Sequence, residues 1–445
     1  MLKFFFDYHP HTSFRALIAL FLVLVLIAPF ARPTDAYAGL IDDLAQKIAG
    51  KTEDIEKLNQ EIEAYEEQLS TIGKEKATLN SAVQTIDITR KKLATDISLT
   101  EKKIDGTSLN VERLSLSIAD TEQDVSEKTA AIKQFIRKID HIENISTAEL
   151  MLSSDSLSDF WKDIETVRRF ETHMSAAVDE LLVHKAALEG DKTAKEKEQQ
   201  QLEAYQNRLA DQKTIVDQNR AEKNALLQQT KKEESTYQTK LAEKQRLKEE
   251  FEKEILAYES QIKIAVDPNT FPAVGSGVLA WPVDVIRITQ YFGSTAFARS
   301  GAYNGKDHNG IDLGMSVGTP LKASLSGTVW ATGNTDAYPG CYSYGKWVLL
   351  KHHNGLTTLY AHMSLIKVAA GQAVSTGDII GYSGNTGYST GPHLHYSVFA
   401  TQGVQIVKMG DIKKVTGCGQ ATVPVASLTA YMNPLDYLVN GNDYR

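Results

Sequence analysis

Gly391-Pro392-His393-Leu394-His395-Tyr396-Ser397-Val398 is the stretch that decides how the C-terminal part of this chain folds and what it can do. Polar and apolar residues alternate along it, which reads as a β-strand, and side chains two apart on a strand share a face. His393, His395 and Ser397 therefore look one way, while Leu394, Tyr396 and Val398 look the other. The apolar side packs on a core and leaves two imidazoles over an open surface. That suits one metal ligand beside one proton-transfer group. Paired strand histidines are also ordinary surface residues, so the neighbouring sequence has to decide.

A carboxylate and a third imidazole lie upstream, in His308-Asn309-Gly310-Ile311-Asp312-Leu313-Gly314. Asp312 stands between Ile311 and Leu313, so a strand turns it away from its flanks. A buried carboxylate is costly unless it is paired or coordinates a metal; the alternative is an Asp that caps a turn after Gly310. With His395, the pair His308 and Asp312 makes an N,N,O ligand set. Three protein ligands with a position open to water is the pattern of a catalytic zinc site. Two histidines and a carboxylate also serve iron oxygenases, but those usually space the first His and the acid more closely and use cytosolic co-substrates. Zinc is the expected metal.

Leu359-Tyr360-Ala361-His362-Met363 closes a strand pair expected over 347–351 and 356–362. Between the two runs, His353-Asn354-Gly355 is a hairpin signal, since Asn-Gly readily adopts positive φ. His352 and His353 are expected to be structural residues near that turn. His362 ends the returning strand, from which it reaches the groove of His393 as a second catalytic imidazole.

Over 281–438 the chain resembles the lysostaphin/LytM-type zinc endopeptidases, which cut peptide cross-links in peptidoglycan. The resemblance is carried in order by Trp281-Pro282, Tyr291-Phe292-Gly293, His308 to Asp312, Gly318-Thr319-Pro320, Tyr360-Ala361-His362, the run 371–396 and Asn433-Pro434-Leu435-Asp436-Tyr437-Leu438. It implies that His308, Asp312 and His395 hold zinc and that His362 and His393 serve catalysis. All five are present. Some relatives of this family lack metal ligands and activate separate amidases; the complete set here implies an active hydrolase. On this reading His393 is the general base for the attacking water, and His362 stabilises the oxyanion or protonates the leaving amine. The two roles are interchangeable at this stage. The alternative is a non-catalytic envelope scaffold that recruits another cell-wall hydrolase.

At the front, Arg15 precedes an apolar run over 16–31, and Ala36-Tyr37-Ala38 supplies a small-x-small cleavage signal. Residues 1–38 read as a secretory signal peptide, with an uncleaved anchor as the alternative. Export to the cell envelope is expected, in periplasm or outside the cell, with membrane association through a partner. The two cysteines, Cys341 and Cys418, agree with it: both fall in loop-rich insertions of one domain, where a single disulfide is the economical reading and two thiols the alternative.

Between 41 and 142 a heptad repeat runs without a phase break, with Ile41, Ile48, Ile55 and Ile62 at a and Leu44, Leu58 and Tyr65 at d, among others. A sustained seven-residue period with charged flanks signals a coiled coil. A second helical stretch covers 163–265 with a weaker stripe, and no proline interrupts the chain between Pro33 and Pro268. Two arms of about equal length, each ~150 Å at helical rise, predict an antiparallel hairpin over 39–265 with its tip near 146–162; a continuous parallel dimer is the alternative. The layout is similar to the coils of division-associated murein hydrolases and their activators. That likeness implies an FtsEX-type membrane complex as partner, met by the apolar tip residues Leu157, Phe160 and Trp161.

The expected architecture is thus a long α-helical antiparallel coiled coil, a linker at 266–280 and an all-β LytM-type peptidase domain at 281–445. The net charge of −8, spread over mixed signs in the coil, argues for no nucleic-acid partner.

Overall fold

The computed structural model describes residues 35–72, 78–143, 157–262, 264, 266–295, 307–412 and 417–444. Contacts divide the chain into two compact units: residues up to Ile55 with 102–206, and 56–101 with everything from Asn207 onward. Most of the expected leader (1–34) and of the expected tip (144–156) lies outside the described residues. No described helix is long and apolar enough to cross a membrane.

The described helices begin with α1 (Asp35–Ile72), α2 (Leu79–Glu143), α3 (Leu157–Thr230) and α4 (Glu234–Glu259). In the first unit α3 runs antiparallel to α2, with Ser117 bonded to Asp191 at 2.7 Å and Lys128 paired with Glu180 at 3.1 Å. The second unit repeats the pairing through Asp87 and Lys223 at 2.5 Å and through Gln212, which donates to the Asp96 carbonyl at 3.3 Å. Within each unit, therefore, α2 and α3 pack antiparallel.

One expectation fails. The heptad run from 41 to 142 is not one helix, because α1 ends at Ile72 and folds back on α2. In the first unit Lys51 reaches Asp105 at 2.7 Å and Lys102 reaches Asp54 at 2.8 Å; in the second, Lys92 reaches Glu66 at 3.3 Å. A seven-residue period describes the apolar stripe of each helix and survives a reversal of direction, so an unbroken phase does not require an unbroken helix. A local signal for the break is present at Thr78. Its hydroxyl accepts the Ser81 amide at 3.0 Å and the Ser81 hydroxyl accepts the Thr78 amide at 2.9 Å, a reciprocal cap that starts α2.

The β part lies within the second unit. Its strands are β1 (Ile288–Gln290), β2 (Ile311–Gly314), β3 (Pro320–Lys322), β4 (Gly327–Asn334), β5 (Lys346–His352), β6 (Leu356–Ile366), β7 (Ala373–Val374), β8 (Ile379–Ser383), β9 (His393–Ala400), β10 (Val404–Lys408), β11 (Thr422–Ala426) and β12 (Tyr431–Met432). The main sheet runs β1-β2-β9-β6-β5-β4-β7, with β12 beside β9 and β8 joining β6 to β3; β10 and β11 pair separately. Ile311, Leu313, Tyr360, Met363, Leu394, Tyr396 and Val398 bury one face of the sheet in the main core. Trp347, Leu349, Leu359, Ala361 and Phe399 pack on the other. Burial on both faces explains why β5 and β6 read as nearly continuous apolar runs rather than alternating ones.

His352 belongs to this scaffold, as expected. Its ring lies 3.2 Å from the Ser326 carbonyl and 2.9 Å from the Thr358 hydroxyl. Cys341 and Cys418 form a disulfide, which joins the two insertions.

Candidate metal centre

Strand pairing brings the site together. β2 and β9 are adjacent and antiparallel, with Asp312 directly opposite His395 and Gly314 opposite His393. On the far side of β9, Ala361 of β6 faces His395. His308 sits just before β2, held by a two-bond bridge to Gly293: its amide donates to the Gly293 carbonyl at 3.0 Å and its carbonyl accepts the Gly293 amide at 2.8 Å. The chain can pass this closely only because residue 310 is glycine. A Cβ there would stand 2.5 Å from the Tyr396 carbonyl and 2.9 Å from Cε1 of His395.

Three ligand atoms converge. His308 Nε2 lies 3.1 Å from His395 Nδ1 and 3.3 Å from Asp312 Oδ1, and His395 Nδ1 lies 2.9 Å from the same oxygen. Among the described residues these three form a group able to hold a metal ion. The donor set fits zinc: two imidazoles and one carboxylate in a buried pocket.

Hydrogen bonds on the opposite ring atoms set which nitrogen each histidine offers. His308 Nδ1 is 2.8 Å from the Tyr291 carbonyl, so it donates there and leaves Nε2 for the metal. His395 is the reverse: Nε2 is 2.9 Å from the Ser397 hydroxyl, which leaves Nδ1 as the ligand. The i, i+2 alternation of β9 already put Ser397 on this face, but not as the partner that orients His395.

His362 and His393 meet beside the group with ring centroids 4.6 Å apart. His362 donates from Nδ1 to the Thr386 carbonyl at 2.8 Å, and His393 does the same to the Gly391 carbonyl at 2.8 Å. Both rings thus keep Nε2 as the lone-pair nitrogen when neutral, and that of His393 is 3.8 Å from Asp312 Oδ1. His362 reaches this face by a route that sequence reading missed. The strand does not end there but runs on to Ile366, and Tyr360 to Met363 oppose only Val348 to Lys346, so β6 carries an extra residue. That residue is His362, whose φ of +60° is left-handed. The bulge breaks the alternation and turns the imidazole away from the main core, toward His393. Left-handed backbone in a non-glycine residue is strained and concentrates at functional sites.

Burial works against the charge of Asp312, but the field of His393 and the hydrogen bonds from His308 and His395 outweigh it and hold the carboxyl well below its usual range. Burial pushes His362 and His395 below the ordinary imidazole value. An ionised Asp312 and a neutral His395 are the protonation states in which these two groups bind a divalent cation. Tyr344 also borders the site, unnoticed in the sequence. Its ring centroid is 6.1 Å from that of His395, and its hydroxyl accepts from Asn309 at 3.5 Å.

Residues 306–407 match peptidase family M23. The chain carries an M23 peptidase domain. Over 91 residues it is 48% identical to the peptidoglycan DD-endopeptidase ShyA of Vibrio cholerae serotype O1, a match covering 20% of each chain. Over 89 residues it is 45% identical to the DD-carboxypeptidase/endopeptidase Mpg of Neisseria meningitidis serogroup B, covering 20% of this chain and 19% of that one. The chain thus spans about a fifth of the length of these curated relatives. A solved zinc-containing peptidase from Vibrio cholerae is similar over 28% of this chain and 37% of its own, at 28% identity and a TM-score of 0.24. The M23 domain carries the His308, Asp312 and His395 group.

Proposed function

We propose that this chain is an exported zinc endopeptidase that hydrolyses peptide cross-links of bacterial peptidoglycan. The observation that carries the reading is the convergence of His308 Nε2, Asp312 Oδ1 and His395 Nδ1 within 4.8 Å of one another, beside two imidazoles with free Nε2 atoms. The relatives named as peptidoglycan endopeptidases support the substrate class.

In this mechanism, zinc supplies Lewis acidity and makes a water nucleophile available near neutral pH. His393 Nε2, on the same face as the ligands, takes the proton of the attacking water. His362 Nε2 stabilises the developing oxyanion or passes a proton to the leaving amine. The Thr386 and Gly391 carbonyls hold both rings in place for this. Low exposure of the site, with His308 at 1% and His362 at 7%, excludes bulk water and strengthens each interaction.

Control of the enzyme through its helices, in cell division or cell separation, belongs to the same proposal. Leu157, Phe160 and Trp161 are the surface offered to an FtsEX-type complex. Trp161 is 61% exposed; the side chains of Leu157 and Phe160 lie outside the described residues.

The deciding experiment is metal analysis of the purified chain together with digestion of isolated sacculi. About one zinc per chain and release of cross-linked peptides are expected. No bound metal and intact sacculi would leave only a recruiting role. A finer expectation concerns Ser397. Ser397→Ala removes the acceptor that orients His395 and lowers zinc affinity by roughly 10–100-fold, measured by chelator competition, with the fold unchanged by circular dichroism.

A further inference from the structure

Residues 335–345, between β4 and β5, form an insertion that closes on itself. The Thr335 amide donates to the Gly345 carbonyl at 2.9 Å, and the Gly345 amide donates to the Thr335 hydroxyl at 2.9 Å. Its first turn, Thr335–Ala337, is a 3-10 turn capped by Asn334, whose side chain accepts the Asp336 amide at 3.1 Å. Further along, Cys341 is bonded to Cys418, and both are buried. Closed at its base, capped at its first turn and cross-linked beyond it, the insertion is a brace for whatever rests on it.

What rests on it is 384–391, the loop that aims the two proton-transfer imidazoles. The Ser343 carbonyl accepts the Tyr388 amide at 2.9 Å, and the Lys346 amide, at the start of β5, donates to the Thr386 hydroxyl at 3.0 Å. The Tyr344 carbonyl accepts the His362 amide at 2.8 Å, so the insertion also holds the backbone of the bulge. Residue 387 has to be glycine in this contact. Its φ is +72°, and a Cβ there would run into the Ser343 carbonyl.

A two-bond relay links the insertion to the chemistry. Asp336 Oδ2 accepts the Gly387 amide at 2.8 Å. That N–H belongs to the same peptide unit as the Thr386 carbonyl, which accepts His362 Nδ1 at 2.8 Å. A peptide unit is planar, so fixing its N–H end fixes the direction of its C=O. Hydrogen bonds in series through one amide also strengthen each other. Without the Asp336 bond, glycine at 387 lets the unit rotate, because both signs of φ are open to it. The carbonyl then turns from His362, and the ring loses the partner that keeps Nε2 as its lone-pair nitrogen.

We propose that Asp336 is a positioning residue for the hydrolysis, acting through the Thr386–Gly387 peptide to lock the orientation and tautomer of His362. The ring it controls is not a zinc ligand, so turnover depends on Asp336 while metal binding does not. The inference rests on the peptidase reading for what His362 does, but not for how its ring is held.

The test uses the full zinc-loaded chain, isotope-labelled on the histidine nitrogens, with soluble cross-linked peptidoglycan fragments as substrate. Asp336 is exposed, so its truncation leaves the fold intact. Asp336→Ala lowers kcat by about 10–100-fold, the cost of misplacing a reacting group, while KM and zinc content stay at wild type. In nuclear magnetic resonance spectra the two ring nitrogens of His362, well separated in wild type and identified by their loss in His362→Gln, draw together as the tautomers mix. Asp336→Asn keeps an oxygen in place to accept the Gly387 amide and restores both readouts. Unchanged kcat and ring signals in Asp336→Ala, or Asp336→Asn no better than Asp336→Ala, would overturn the assignment. Ring signals that respond as expected while no form, wild type included, cuts the fragments uphold the positioning role and remove the peptidase reading instead.

Discussion

The expected result of His395→Ala is the joint loss of zinc binding and of the proposed peptidoglycan hydrolysis. Its Nδ1 is one of three ligand atoms, 2.9 Å from Asp312 Oδ1 and 3.1 Å from His308 Nε2, and no other described His, Cys, Asp or Glu completes such a group. Two remaining donors cannot hold a structural or a catalytic site of the usual three or four. The loss in affinity therefore exceeds the ~10–100-fold expected when only an outer partner is removed. The measurement is zinc per chain by mass spectrometry after desalting, with hydrolysis of sacculi alongside. The proper comparator is metal-free wild type, whose thermal midpoint the variant should share. Full zinc occupancy in the variant would sink the ligand assignment.

His393→Ala separates metal binding from turnover. The ring is beside the ligand group but its nearest approach to Asp312 Oδ1 is 3.8 Å, so zinc stays. Loss of a positioned proton-transfer group lowers kcat by roughly 10²–10⁴-fold. His362→Ala should behave in the same way, and removing both should cost little more than removing one if they act in a single proton pathway. The pH profiles then order the roles: the variant that loses its acidic limb lacks the base, and the one that loses its alkaline limb lacks the acid. A His393→Ala protein with wild-type turnover contradicts the assignment.

Much of this site was legible before any coordinates. Spacing alone put His393, His395 and Ser397 on one face of β9 and turned Asp312 from its apolar neighbours, because a strand alternates strictly and locally. The helical character of the N-terminal part was legible for a similar reason, since an apolar stripe is written at short range. The reversal after Ile72 was not: heptad phase says which face is apolar but not which helix will cover it. The reciprocal cap at Thr78 and Ser81 was the signal that should have been read.

His362 marks the limit most clearly. Strict alternation would have sent it to the main core, and only the extra residue in β6, with φ of +60°, delivers it to His393. The choice of nitrogen on each ring was equally out of reach, because the carbonyls of Tyr291, Thr386 and Gly391 come from loops whose course depends on the packed sheet.

The sequence by itself determined the donor types, the faces they occupy and the alternation of helix and strand, all of which follow from periods of two to seven residues. Only the tertiary structure decided which atoms converge, how the bulge aims His362 and where α4 rests. Those depend on packing between residues tens to hundreds of positions apart, such as Phe251 and Cys418 in one buried cluster, and no local pattern carries them.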